Sequence, residues 1–143
     1  MVVLFRELSV CFAAGIVGGL ANSIFLWGAG YLGLSAAMGV SIAPLWSPPW
    51  LYQRLVWGGI WGLLFLLPFL GRSVVLRGIL FGIAPSLVQL LWVFPEMLNK
   101  GILGLSLGAM TPVYVLIANS VWGVTAAWWE SINHDRPKFR GRF

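Results

Sequence analysis

From Val74 to Phe94 the chain carries one charged side chain, Arg77, in an otherwise almost wholly apolar run. A helix of about 20 apolar residues crosses a hydrocarbon layer about 30 Å thick. Three more stretches have the same character, at about Leu8–Leu32, Leu51–Leu70 and Leu107–Trp129. Lipid offers no hydrogen bonds, so backbone immersed in it must satisfy itself within helices or closed barrels. Barrel strands alternate polar and apolar residues, and "LLFLLPFL" does not. The expectation is an all-α polytopic membrane protein with four transmembrane helices, forming one domain over residues 1–143. Composition agrees: only 9% of residues are charged, against about 25% in soluble domains.

The spans are punctuated by Gly71–Ser73, by Pro95 to Gly101, and by "SIAPLWSPPW" at 41–50. Proline lacks the amide donor and clashes with the preceding helical turn, so 41–50 reads as an interfacial loop with Trp46 and Trp50 at headgroup level. A lid over a cavity is the alternative. Arg6 before an apolar run resembles a secretory signal, but the run exceeds a signal's short apolar core and reads as a retained anchor. With four spans, Arg6, Arg72, Arg77, Arg136, Lys138, Arg140 and Arg142 share one side, opposite Arg54 and Lys100. The positive-inside rule then puts both termini in the cytoplasm, in an inner or thylakoid-like membrane.

The chain also repeats itself. "GIVGGLANSI" (15–24) returns as "GILFGIAPSL" (78–87), and Val56-Trp57-Gly58 returns as Val121-Trp122-Gly123. This predicts two parallel helical-hairpin repeats, about 8–70 and 74–130, related by a pseudo-twofold axis along the membrane normal. Gly15 and Gly19, Gly58 and Gly62, and Gly78 and Gly82 are each spaced by four, and Asn119 and Gly123 give a looser version. Residues four apart share a helix face, and small residues let helices in lipid approach closely. The two halves are expected to turn these faces toward each other, although a partner helix or a second copy would fit them too.

Chemistry is sparse. The ionisable residues lie within about two turns of the predicted span ends, where long side chains reach water. His134 is the only histidine and Cys11 the only cysteine. The tail holding His134 reads as solvated, and Cys11 as a small buried residue. No HExxH or phosphate-binding glycine loop occurs, and Ser9, Ser73 and Ser131 have no base nearby in sequence. No enzyme activity, metal or resident cofactor is expected; a pigment ligated by a carboxamide is a minor alternative. The intramembrane polar candidates are Asn22, Ser23, Ser86, Gln89, Asn119 and Ser120, together with Thr125. They could bond helices together, at about 0.6 kcal/mol each, or line a neutral site at the repeat interface, where Pro85 frees a carbonyl one turn earlier. The basic tail residues Arg136, Lys138, Arg140 and Arg142 suit anionic lipid headgroups.

Four segments, "AAGIVGGLANSIFLWG", "RGILFG", "GAMTP" and "VWGVTAAWWE", together resemble the YagU-like group of small inner-membrane proteins and related uncharacterised four-helix membrane families. The resemblance implies the fold and no particular activity. Relatives often carry a histidine before the glycine of helices two and four, where this chain reads "RLVWGG" and "ANSVWG". The expected role is a non-catalytic accessory or scaffold subunit of a larger membrane complex, binding lipid or a pigment. The alternative is a small dimeric permease or channel for a neutral or weakly polar solute. Membrane lipids, other membrane subunits or a second copy are the expected partners, and nucleic acid is not.

Overall fold

A computed structural model describes residues 1–68 and 73–133. Arg72, His134 and the four basic tail residues Arg136, Lys138, Arg140 and Arg142 lie outside the described residues. Among the described residues there are helices and no strands, with α1 (Val2–Tyr31), α2 (Leu34–Ala37), α3 (Pro48–Gly62), α4 (Val74–Val88) and α5 (Thr111–Asn133). A 3-10 turn, Leu63–Leu66, continues α3, and a π-helical extension, Gln89–Met97, continues α4. A second 3-10 segment, Ile102–Leu107, contains left-handed backbone at Leu103 and Gly104. Two helices are long and apolar enough to cross a membrane: α1, and α4 with its extension.

Several boundaries depart from the sequence expectation, each for a local reason. Pro48 and Pro49 start α3 instead of ending a helix; Ser47 caps it, its hydroxyl accepting from the Trp50 amide at 3.4 Å. Proline costs nothing in the first helical turn, where amides have no intrahelical acceptor. Pro95 likewise does not stop α4, because the extension has changed to π geometry, as in Leu98 N–H to Val93 O at 2.9 Å. The α-helical part of the expected second span ends at Gly62. α5 begins at Thr111, four residues later than expected.

Laterally, α1 packs along α3 on one flank and α5 on the other, and α5 packs along α4. The order across the molecule is therefore α3–α1–α5–α4. Glycines set the close approaches. A Cβ on Gly15 would collide with the Gly58 carbonyl oxygen and stand 2.8 Å from the Gly62 Cα, and one on Gly19 would meet the Arg54 carbonyl at 2.9 Å. In the second hairpin, a Cβ on Gly123 would strike the Gly78 carbonyl, and one on Gly82 would meet the Asn119 carbonyl at 2.6 Å. Each glycine face is thus filled by the other helix of its own hairpin. The expectation that the two halves present these faces to each other is corrected. The halves meet instead through Gly18, Trp122 and Ala126, with the Trp122 indole donating to the Gly15 carbonyl at 3.2 Å. A Cβ on Gly18 would come within 2.5 Å of the Trp122 carbonyl oxygen, so this seam too is held close by a glycine.

At one end, Phe65 of the 3-10 turn meets Phe81 of α4 edge-on, with centroids 5.0 Å apart. This joins the two outer helices. At the other end Trp27, Trp46 and Trp50 form a chain of edge contacts at 5.7 and 5.8 Å. Many large apolar side chains, including Leu20, Ile24, Ile79, Leu87 and Ile117, point outward.

Candidate functional site: a polar cavity with two cations

The inward faces of four helices bring most of the polar candidates together. On α1, Asn22 donates from Nδ2 to the Ala118 carbonyl of α5 at 2.6 Å. The neighbouring Ser23 hydroxyl donates to the Gly19 carbonyl at 2.7 Å. On α4, the Ser86 hydroxyl donates to the Gly82 carbonyl at the same distance. A hydroxyl has one proton to give and lone pairs to receive with. Each serine therefore remains an acceptor, and each is used: Ser23 Oγ receives Arg54 Nε at 3.1 Å, and Ser86 Oγ receives Asn119 Nδ2 at 2.9 Å. Asn119 also reaches Gln89 Oε1, at 3.5 Å.

Ser120 does not join them. Its hydroxyl bonds back to the Leu116 carbonyl at 2.7 Å, and with Thr125 it lines an outward groove between α4 and α5. Side chains successive on a helix diverge by about 100°, and here that turn carries Ser120 out of the sector in which Asn119 faces Ser86.

Arg54, expected to reach water from near a span end, turns inward instead. Arg54 enters the site from α3, donating from Nη2 to Asn22 Oδ1 as well as from Nε to Ser23. Its guanidinium carbon lies 5.1 Å from the Trp50 ring centroid. No carboxylate pairs with it among the described residues.

Around this cluster is a cavity of about 350 Å³. Its polar wall comprises Asn22, Arg54, Gln89, Lys100, Tyr114 and Asn119. Tyr114 is 0% exposed, and its hydroxyl has no hydrogen-bond partner among the described residues. The remaining wall is apolar and includes Leu26, Ile42, Phe94 and Val115. Residues 41–44 also line it. They are held by Ser41 N–H to Leu107 O at 2.8 Å and by Ala43 against Gly30, where a Cβ would come within 2.8 Å of the Ala43 Cα. The first half of 41–50 therefore walls the cavity, while Trp46 stays at the surface.

A separate polar contact lies at the opposite end. Arg77 Nη1 pairs with Glu130 at 3.2 Å, and Nη2 donates to the Phe65 carbonyl at 3.2 Å. Its guanidinium also lies 5.4 Å from the Phe65 ring and 5.8 Å from the Phe81 ring.

Arg54, Tyr114 and Lys100 are the members of the site that the sequence reading missed. A signal for Arg54 existed. Ser47-Pro48-Pro49 is a helix start, a capping serine followed by prolines. Starting α3 there puts Arg54 about 9 Å past the helix start, level with Asn22 and Ser23 of α1, to which it donates. Comparison with protein-family models, curated proteins and solved structures finds no match to this chain.

Proposed function

We propose that the chain is a non-catalytic, four-span membrane protein whose two duplicated hairpins enclose a binding site for a small solute, and that it acts as a small permease. The observation that carries this reading is the convergence of Asn22, Arg54, Gln89 and Asn119, one from each long helical arm, on a single cavity. Polar groups in a membrane interior are costly, and they mark solute or ion paths by default. Packing alone would need pairwise contacts, not an open space with unmet donors.

Lengths support four crossings: α3 with its 3-10 turn covers about 30 Å, and α5 about 35 Å. The duplication is supported by chemistry as well as letters. Arg54 and Asn119 are separated by the same 65 residues as Val56 and Val121. Both donate to the repeated serine of their own hairpin. In this topology Arg54 and Lys100 face the non-cytoplasmic side, so the cavity opens there, and Arg77, Phe65 and Glu130 close the cytoplasmic end. The tryptophans at the open end suit a headgroup layer.

The accessory-subunit reading keeps one observation in its favour, the open apolar groove of about 590 Å³ on the outer face of α4 and α5. It loses the glycine faces, which are occupied within the chain. Extraction in mild detergent followed by native mass measurement, with osmotic swelling of proteoliposomes in small solutes, separates the two. A monomer or dimer that speeds swelling over empty liposomes is expected. A large co-purifying assembly with no swelling activity would overturn the permease reading.

A further inference from the structure

The cavity's charge is one-sided. Arg54 and Lys100 line it, and no Asp or Glu does. Arg54 spends Nε and one Nη2 proton on neutral oxygens of Ser23 and Asn22. Those bonds fix the guanidinium plane without neutralising it. The protons on Nη1 and the second on Nη2 remain, and they form the end-on pair that a carboxylate accepts in bidentate fashion. The Tyr114 hydroxyl is buried on the same wall with no partner. An unmet buried hydroxyl costs about 1–3 kcal/mol, and an uncompensated buried charge costs more. A bound oxyanion would relieve both. The size suits a small organic molecule, since ligand sites run from about 300 Å³ upward, and Leu26, Ile42, Phe94 and Val115 offer an apolar surface beside the cations.

We propose that this cavity binds a small organic anion, a carboxylate on an apolar body, with Arg54 as its principal partner and Tyr114 as a second donor. The proposal rests on the solute-site reading above and names the class of solute. Lys100, exposed at the rim, attracts the anion toward the site. The carboxylate arrives either from water, as a short aromatic or aliphatic acid, or from the bilayer, as a fatty acid; the recognition chemistry is the same.

The test is calorimetric titration of the full chain in lipid nanodiscs with benzoate, its neutral isostere benzamide, and palmitate. Benzoate or palmitate is expected to bind at least about tenfold more tightly than benzamide, the scale of a charge-assisted bidentate contact. Stronger benzoate binding assigns the aqueous source, and stronger palmitate binding the membrane source. Arg54→Gln is expected to abolish the acid's advantage, so that benzoate binds no more tightly than benzamide in the same variant, while Arg54→Lys retains part of the preference. Equal binding of benzoate and benzamide, or an undiminished acid affinity in Arg54→Gln, overturns the anion assignment and leaves the solute site standing. Absence of binding by all three overturns the assignment as well, and the swelling measurement then decides whether the solute site falls with it.

Discussion

Arg54 and Arg77 show how the setting of a residue decides its role. Arg77 has a carboxylate, Glu130, at 3.2 Å and the touching Phe65 and Phe81 rings nearby. Arg54 has an aromatic ring and two neutral oxygens. The first is paired with a carboxylate and the second is not. Removing one partner of a buried pair strands the other's charge, at about 3–5 kcal/mol. The Arg77 and Glu130 side chains are 14% and 7% exposed, so the low end of that range applies. Arg77→Gln should therefore lower the apparent melting temperature in detergent markedly. Arg77→Gln with Glu130→Gln should recover a good part of the loss, because no charge is then stranded. Additive losses would show that the pair is not coupled. Ser86→Ala is a milder change, about 0.6 kcal/mol, typical of a hydrogen bond between helices in lipid. These roles were only half legible in the sequence. The neutral members Asn22, Ser23, Ser86, Gln89 and Asn119 stood out because polar letters interrupt apolar runs. Arg54 was hidden, since its position relative to the helix start depends on whether Pro48 and Pro49 begin or end a helix.

At the scale of elements, one face of α4 is built for contact and another is left apolar and exposed. Gly78 and Gly82 lie against α5, while Ile79 and Ile83 on the adjacent face are exposed. Gly78→Leu must force α4 and α5 apart, because even a Cβ there collides with the Val124 backbone. Overpacking of this kind costs about 1–3 kcal/mol or more. Ile79→Leu, a swap of equal volume on the outer face, should cost little. Thermal unfolding of the two variants in the same detergent checks the contrast; equal losses would contradict this assignment of faces. Glycine spacing made these faces readable in the sequence, because two residues four apart can only share a side. Their partners were not readable, since a flat face accepts any helix, and it is the Trp122 side chain packed against Gly18 that marks the α1–α5 seam. The π-helical extension was equally opaque. Its hydrogen bonds shift by one residue, and no side chain announces that.

For the molecule as a whole, the account joins an outward apolar surface, a cavity near one end and a closed contact at the other. α4 and its extension run between these ends, from Ser73, which caps α4 with its hydroxyl on the Leu76 amide at 3.1 Å, to Met97, just before Lys100 at the cavity rim. Composition made an apolar outer surface legible, because so few charged side chains cannot cover it. The sidedness of the cavity was not, because it depends on how two hairpins dock. The most direct measurement is labelling of single cysteines by a membrane-impermeant maleimide in intact and permeabilised cells, in a Cys11→Ala background. Lys100→Cys and Gln89→Cys should react from outside, and Ser73→Cys only after permeabilisation. Reaction of Ser73→Cys and Lys100→Cys from the same compartment, or a Gln89→Cys inert from both sides, would contradict the account.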